Sequence, residues 1–119
     1  MVDLEQLVKS CGVRHIQIID PLNLKQTEAA VKAATINPGV SVIIAQSPCI
    51  LIEKRFQPAL KVDEDKCIGC KICLKLGCPA ISFDQAKKKS HIDPLYCIGC
   101  QVCAQLCPKQ AMGRGEVVK

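Results

Sequence analysis

Two stretches decide the fold of this chain: Cys67-Ile-Gly-Cys70-Lys-Ile-Cys73-Leu-Lys-Leu-Gly-Cys78-Pro79 and Cys97-Ile-Gly-Cys100-Gln-Val-Cys103-Ala-Gln-Leu-Cys107-Pro108. The second has the spacing C-x2-C-x2-C-x3-C-P, and the first carries one additional residue before its fourth cysteine. Each cysteine of the first run lies 29 or 30 positions before its counterpart, so residues 57–119 read as an internal duplication. Three thiols spaced by two residues on a tight loop can reach three irons of one cube, and eight thiols supply two cubes.

The expected cofactors are therefore two [4Fe–4S] clusters. Zinc also takes C-x2-C pairs, but closed zinc sites use two separated pairs rather than triplets followed by Cys-Pro. Disulfides are disfavoured in a chain with no visible export signal, since Met1-Val-Asp-Leu-Glu5 lacks a basic region leading into an apolar run. The expected compartment is the cytoplasm. No stretch approaches the roughly 18 apolar residues of a membrane span, so no membrane partner is expected. The fourth cysteine of such a run follows a helical turn and faces away from the other three. In two-cluster ferredoxins it serves the other run's cluster. The expected metal ligands are then Cys67, Cys70, Cys73 and Cys107 for one cluster, and Cys97, Cys100, Cys103 and Cys78 for the other. Gly69 and Gly99 can take positive φ and bring N–H groups toward sulfur. Ile68, Ile72, Ile98 and Val102 are placed to exclude water. The additional residue of the first run is expected to be absorbed at Gly77, beside Cys78.

The formal charge of +5 treats cysteines as neutral. Each oxidised cluster with four thiolates carries about −2, which leaves roughly +1 in the loaded protein. The basic balance is thus no argument for nucleic acid. Lysines nonetheless concentrate in places. From Lys61 to Lys119 there are 10 Lys and Arg against 6 Asp and Glu, with Lys87-Lys88-Lys89 the densest run. Such a run is a solvated turn or a docking site for an acidic redox partner.

Residues 1–56 have a different texture. Asp3 can cap a short helix that ends at Gly12. Val13–Ile19 reads as a strand, closed by Asp20-Pro21. A helix over Leu24–Thr35 presents Leu24, Thr27, Ala30, Val31 and Ala34 on one stripe. Asn37-Pro38-Gly39 breaks it, and Val40–Ala45 reads as a second, apolar strand. Strand, helix, strand makes a βαβ segment with a parallel pair. Two strands and two short helices cannot cover both faces of such a pair. Residues 1–56 are therefore expected to dock on another subunit or on a copy of themselves. Ile50–Phe56 reads as a further short strand. Cys11 and Cys49, outside the runs, read as small buried fillers. His15 reads as structural and His91 as solvated, while Tyr96 is expected to pack against a cluster. The expected fold class is α+β: a two-cluster bacterial ferredoxin-type module over 57–119, preceded by a partial βαβ segment over 1–56.

The cysteine runs resemble bacterial two-cluster ferredoxins. With Leu74-Lys-Leu-Gly-Cys-Pro-Ala-Ile81 and the upstream stretches Leu7-Val-Lys-Ser-Cys-Gly-Val13, Ile18-Ile-Asp-Pro-Leu-Asn-Leu-Lys-Gln-Thr27 and Gly39-Val-Ser-Val-Ile-Ile-Ala-Gln-Ser-Pro-Cys49, the chain resembles the C-terminal region of the indolepyruvate:ferredoxin oxidoreductase alpha subunit. In that family the upstream part ends a thiamine-diphosphate-binding domain. The resemblance implies electrons leaving a thiamine-bound intermediate, passing through the clusters and reaching an acidic ferredoxin. It implies thiamine-diphosphate-containing oxidoreductase subunits as partners. The chain has no G-D-G motif for that cofactor, so no catalytic residue and no decarboxylation carry over. A stand-alone ferredoxin-like carrier and a cluster-stabilised assembly subunit of another redox complex are the alternative readings.

Overall fold

The computed structural model describes residues 2–53 and 57–114. The chain divides into two compact units, residues 1–49 and 50–119.

In the first unit, helix α1 (Leu4–Ser10) starts where the Asp3 carboxylate accepts from the N–H groups of Glu5 and Gln6. It stops at Gly12, whose φ of +84° lies in the left-handed region. Strand β1 (His15–Ile19) starts two residues later than the apolar pattern suggests. Helix α2 (Leu24–Ile36) is capped by the Asn23 side chain, which accepts from Gln26 N–H. Strand β2 (Ser41–Ala45) then pairs with β1 in parallel, from His15 opposite Ser41 to Ile19 opposite Ala45.

The core of this unit is thin. Among its described residues only Ile19 and Ala30 are fully buried. Of the expected stripe on α2, Leu24, Thr27 and Ala34 are half-buried, but Val31 is exposed. Ile18, Ile36 and Val40 are also exposed. Cys11 and Cys49 are exposed too, which corrects their reading as buried fillers. Cys11 caps the end of α1 and Cys49 lies in the segment after β2, and a small side chain at either place has nothing packed over it.

The second unit opens with a single helical turn, α3 (Ile50–Glu53), where a strand was expected; residues 54–56 of that expectation lie outside the described residues. A run of three or four apolar residues has no period to separate helix from strand. Strand β3 (Leu60–Val62) precedes the first cysteine run. A 3₁₀ helix (Ile72–Leu76) carries Cys73, and strand β4 (Ile81–Asp84) follows. Strand β5 (Lys89–Ile92) leads into the second run, where helix α4 (Val102–Leu106) carries Cys103 and strand β6 (Met112–Arg114) closes the unit. Both helices start one residue before the third cysteine.

Pairing exposes the duplication. β3 pairs antiparallel with β6, and β5 pairs antiparallel with β4. Asp63 N–H donates to the Ala111 carbonyl at 2.7 Å, and Asp93 N–H to the Ala80 carbonyl at 2.8 Å. Asp63 and Asp93 also accept, through their backbone carbonyls, from the N–H groups of Cys67 and Cys97. Leu60, Cys73, Ala80, Ile92, Cys103 and Met112 form the buried core, so both third cysteines belong to it.

Candidate metal centre

Each run bends through two left-handed residues at matching places. Gly69 and Gly99 have φ of +68° and +70°; Lys71 and Gln101 have φ of +61° and +64°. Glycine takes this region freely, whereas a lysine or glutamine there costs about 1 kcal/mol. The strain is the same in both halves and turns the chain so that the second and third cysteines face one side. The sequence marked the glycines only, because no composition rule marks Lys71 and Gln101.

The glycines are also required by space. An alanine Cβ at 99 would lie 2.6 Å from the Pro58 carbonyl oxygen, and one at 69 would run into the Lys88 carbonyl. Each loop is thus pressed against the backbone that leads into a strand of the other run's start. Gly77, with φ of +69°, caps the 3₁₀ helix directly before Cys78 and accommodates the additional residue of the first run.

Two cavities result. The first is lined by Cys67, Cys70, Cys73 and, from the other run, Cys107, with Ile72 and Met112 among the apolar walls. The second, of about 250 Å³, is lined by Cys97, Cys100, Cys103 and, from the first run, Cys78. The first is the tighter, at about 20 Å³. Every one of the eight sequence-expected cysteines borders one cavity, and the fourth of each run borders the cavity of the other. Among the described residues, no three Cys, His, Asp or Glu side chains close on a single-ion position.

The sulfurs are met by hydrogen-bond donors. Leu60 N–H donates to Cys97 Sγ at 3.4 Å, and Ala111 N–H to Cys107 Sγ at 3.3 Å. Cys73 Sγ and Ser90 Oγ lie 3.2 Å apart in the buried interior. Such contacts stabilise negative charge on sulfur and tune a bound cluster. Burial, then the neighbouring Cys100, Cys97 and Cys78 sulfurs, push the Cys103 thiol up to about 11. Four thiolates therefore cannot crowd this cavity without positive charge among them. A cationic iron–sulfur core supplies that charge, so the donor set fits the group.

The apolar screen is uneven. Val102 is buried and Ile72 half-buried, but Ile68 is 60% exposed and Ile98 38%. Tyr96 lines the second cavity while remaining largely exposed. His91 is exposed, as expected, and His15 is exposed on its strand. No helix among the described residues is long and apolar enough to cross a membrane.

Residues 59–109 match the 4Fe-4S dicluster domain family. The chain is also similar to proteins named indolepyruvate oxidoreductase subunit IorA. That of Pyrococcus abyssi (strain GE5 / Orsay) is 41% identical over 116 residues, covering 91% of this chain and 18% of its own length. The chain is a homologue of a segment of IorA. The Pyrococcus horikoshii subunit is 40% identical over 113 residues, with 88% of this chain and 17% of that subunit covered. For Methanothermobacter marburgensis the identity is 37% over 114 residues, covering 93% and 18%. This IorA-like chain thus spans less than a fifth of the length of these curated relatives.

Proposed function

We propose that this chain relays single electrons through two [4Fe–4S] clusters as part of a 2-oxoacid oxidoreductase assembly of the indolepyruvate type, with an acidic ferredoxin as acceptor. The observation that carries this reading is the sorting of the cysteines: three from one run and the fourth from the other border each cavity. In this reading Cys67, Cys70, Cys73 and Cys107 hold one cluster, and Cys97, Cys100, Cys103 and Cys78 hold the other. The clusters supply reversible one-electron chemistry when bound. The protein's own contribution is positioning and tuning. Gly69, Lys71, Gly99 and Gln101 set the loops, Gly77 restores the reach of Cys78, and N–H donors from Leu60 and Ala111 moderate charge on two sulfurs. Val102 and Ile72 keep water from the inner sides.

We place the functional join at 56/57, with residues 1–56 as a docking piece for a thiamine-diphosphate-containing subunit or for a second copy of the chain. The thin core of the first unit and its exposed Ile18, Ile36 and Val40 favour a covered face in the assembly. Ten free thiols and oxygen-sensitive clusters suit a reducing cytoplasm.

Anaerobic reconstitution tests the reading. Iron and inorganic sulfide should each approach about eight per chain, the complement of two cubes. Dithionite should bleach the loaded protein by close to two electrons, reversibly. Clusters that load but cannot be reduced and reoxidised would leave only a structural role.

A further inference from the structure

The two cavities are built from equivalent positions, yet their rims differ in charge. Lys71 and Gln101 occupy the same left-handed position, each between the second and third cysteines of a run. Lys88 and Pro58 occupy the same position against the loop glycine of a run, through their backbone carbonyls. Lys109, two residues after Cys107, lines the first cavity. Its counterpart two residues after Cys78 is Ala80, which lines the second. Three positions are thus lysine on the first run's side and uncharged at their counterparts: Lys109 lines the first cavity, and Lys71 and Lys88 stand in and against the loop that carries its cysteines. Lys71, Lys88 and Lys109 are all exposed.

The carboxylates nearby are largely committed. Glu64 takes Lys87 at 2.7 Å, and Asp63 takes Lys66 at 3.3 Å. Asp84 accepts from the N–H groups of Ala86 and Lys87 within the β4–β5 turn. Asp65 is a further carboxylate of the loop before Cys67, and its backbone N–H donates to Asp63. Lys71 lies over the Phe83 ring, 4.4 Å from its centre, which holds its ammonium on this face without neutralising it. Around the second cavity the exposed side chains are uncharged: Leu76, Pro79, Tyr96, Ile98 and Gln101.

We infer that the lysine rim of the first cavity is the docking surface for an acidic one-electron carrier, so that electrons leave the chain at the Cys67, Cys70, Cys73 and Cys107 side. The inference rests on the relay reading above. If the lysines served only to offset cluster charge, both rims would need them, because both cavities gather four thiolates. Charge complementarity at a rim speeds encounter and fixes orientation while leaving the complex short-lived, which suits a carrier that must depart. The transfer moves one electron from the reduced centre to the oxidised carrier; no bond forms or breaks, and no proton moves at the lysines. In the experiment dithionite supplies the electron.

The test uses the loaded full chain and a small acidic ferredoxin as probe. Binding is measured by titration at low and high salt, and electron transfer by stopped flow after dithionite reduction and removal of excess reductant. The triple variant Lys71→Gln, Lys88→Asn and Lys109→Gln keeps side chains compatible with left-handed backbone at the first two positions. Its iron content should match the parent. Its affinity for the probe should fall roughly tenfold at low salt, and its salt dependence should flatten. Lys75→Gln, at an exposed lysine that does not line the first cavity, should change neither. Unchanged affinity in the triple variant, or binding by the parent that does not weaken with salt, overturns the docking surface. So does tighter, lysine-dependent binding of a duplex DNA oligonucleotide run in parallel. Failure of the relay reading registers separately: the clusters would resist dithionite whatever the binding titrations give.

Discussion

The hydroxyl of Ser90 sits 3.2 Å from the sulfur of Cys73, and both side chains are buried. Ser90 is the buried polar residue among the core positions before the second run, and the matching position before the first run is Leu60. Leu60 serves sulfur differently, donating its backbone N–H to Cys97. The first centre thus has a side-chain hydroxyl beside the main-chain N–H that Ala111 gives to Cys107, whereas the second has a main-chain donor, and a side-chain substitution can remove a partner from the first. Ser90→Ala should make the potential of one cluster more negative by up to about 40 mV, the equivalent of about 1 kcal/mol for a one-electron step, and leave the other unchanged. Anaerobic potentiometry with EPR detection checks this; equal shifts in both clusters would contradict it.

Crossed ligation has a chemical readout. In Cys107→Ala, the thiols of Cys67, Cys70 and Cys73 should become open to alkylation under anaerobic conditions, while Cys97, Cys100 and Cys103 stay protected. Cys78→Ala should give the reverse pattern. Peptide mapping after iodoacetamide treatment reads it, and labelling confined to the mutated run would refute the crossing.

The three left-handed glycines of the cysteine runs should rank by what stands beside them. Gly77→Ala meets nothing within 4 Å and should cost roughly 1 kcal/mol from backbone strain alone. Gly99→Ala adds a Cβ 2.6 Å from the Pro58 carbonyl, and Gly69→Ala meets the Lys88 carbonyl. Each should cost more than about 3 kcal/mol or prevent cluster loading. Thermal melts of the loaded variants decide the order; a Gly77 variant as damaged as the others would argue against it.

Proton release reports on Cys103. Its thiol is pushed up to about 11, mainly by burial and then by the Cys100, Cys97 and Cys78 sulfurs. The metal-free fold holds that proton below the ordinary thiol value and loses the associated stability as pH rises through the raised value. Between about pH 7 and 9, loading must therefore expel a full proton from this position, whereas ordinary thiols contribute progressively less toward pH 9. Thiolate absorbance of the metal-free chain, compared with that of metal-free Cys103→Ser, should differ by one thiol that ionises only as pH approaches the raised value of about 11. A difference complete by about pH 9 would place the thiol at its normal value.

The eight cysteines, the duplication and the caps at Asp3 and Asn23 were open to reading because spacing and hydrogen-bond chemistry are local. What escaped reading depended on distant or strained neighbours. β6 is three residues of Met-Gly-Arg with no alternation, and it forms because β3, some fifty positions earlier, offers an edge. The left-handed Lys71 and Gln101 follow from loop closure around sulfur, which no residue preference announces. The turn at Ile50–Glu53 was too short for its apolar residues to show a period. Cys11 and Cys49 were assigned by the average habit of free cysteine, and their exposure follows from their places outside the regular elements.

Among the described residues, every strand in the second unit finds its mate across the duplication: β3 with β6, and β4 with β5. Neither repeat owns a sheet. A nick in the turn at residues 85–88 would therefore release two pieces that each lack a template, and each would regain order only by capturing the other. The repeats behave as two hands of one clasp, so damage to either propagates to both, and half-built forms have nothing to rest on.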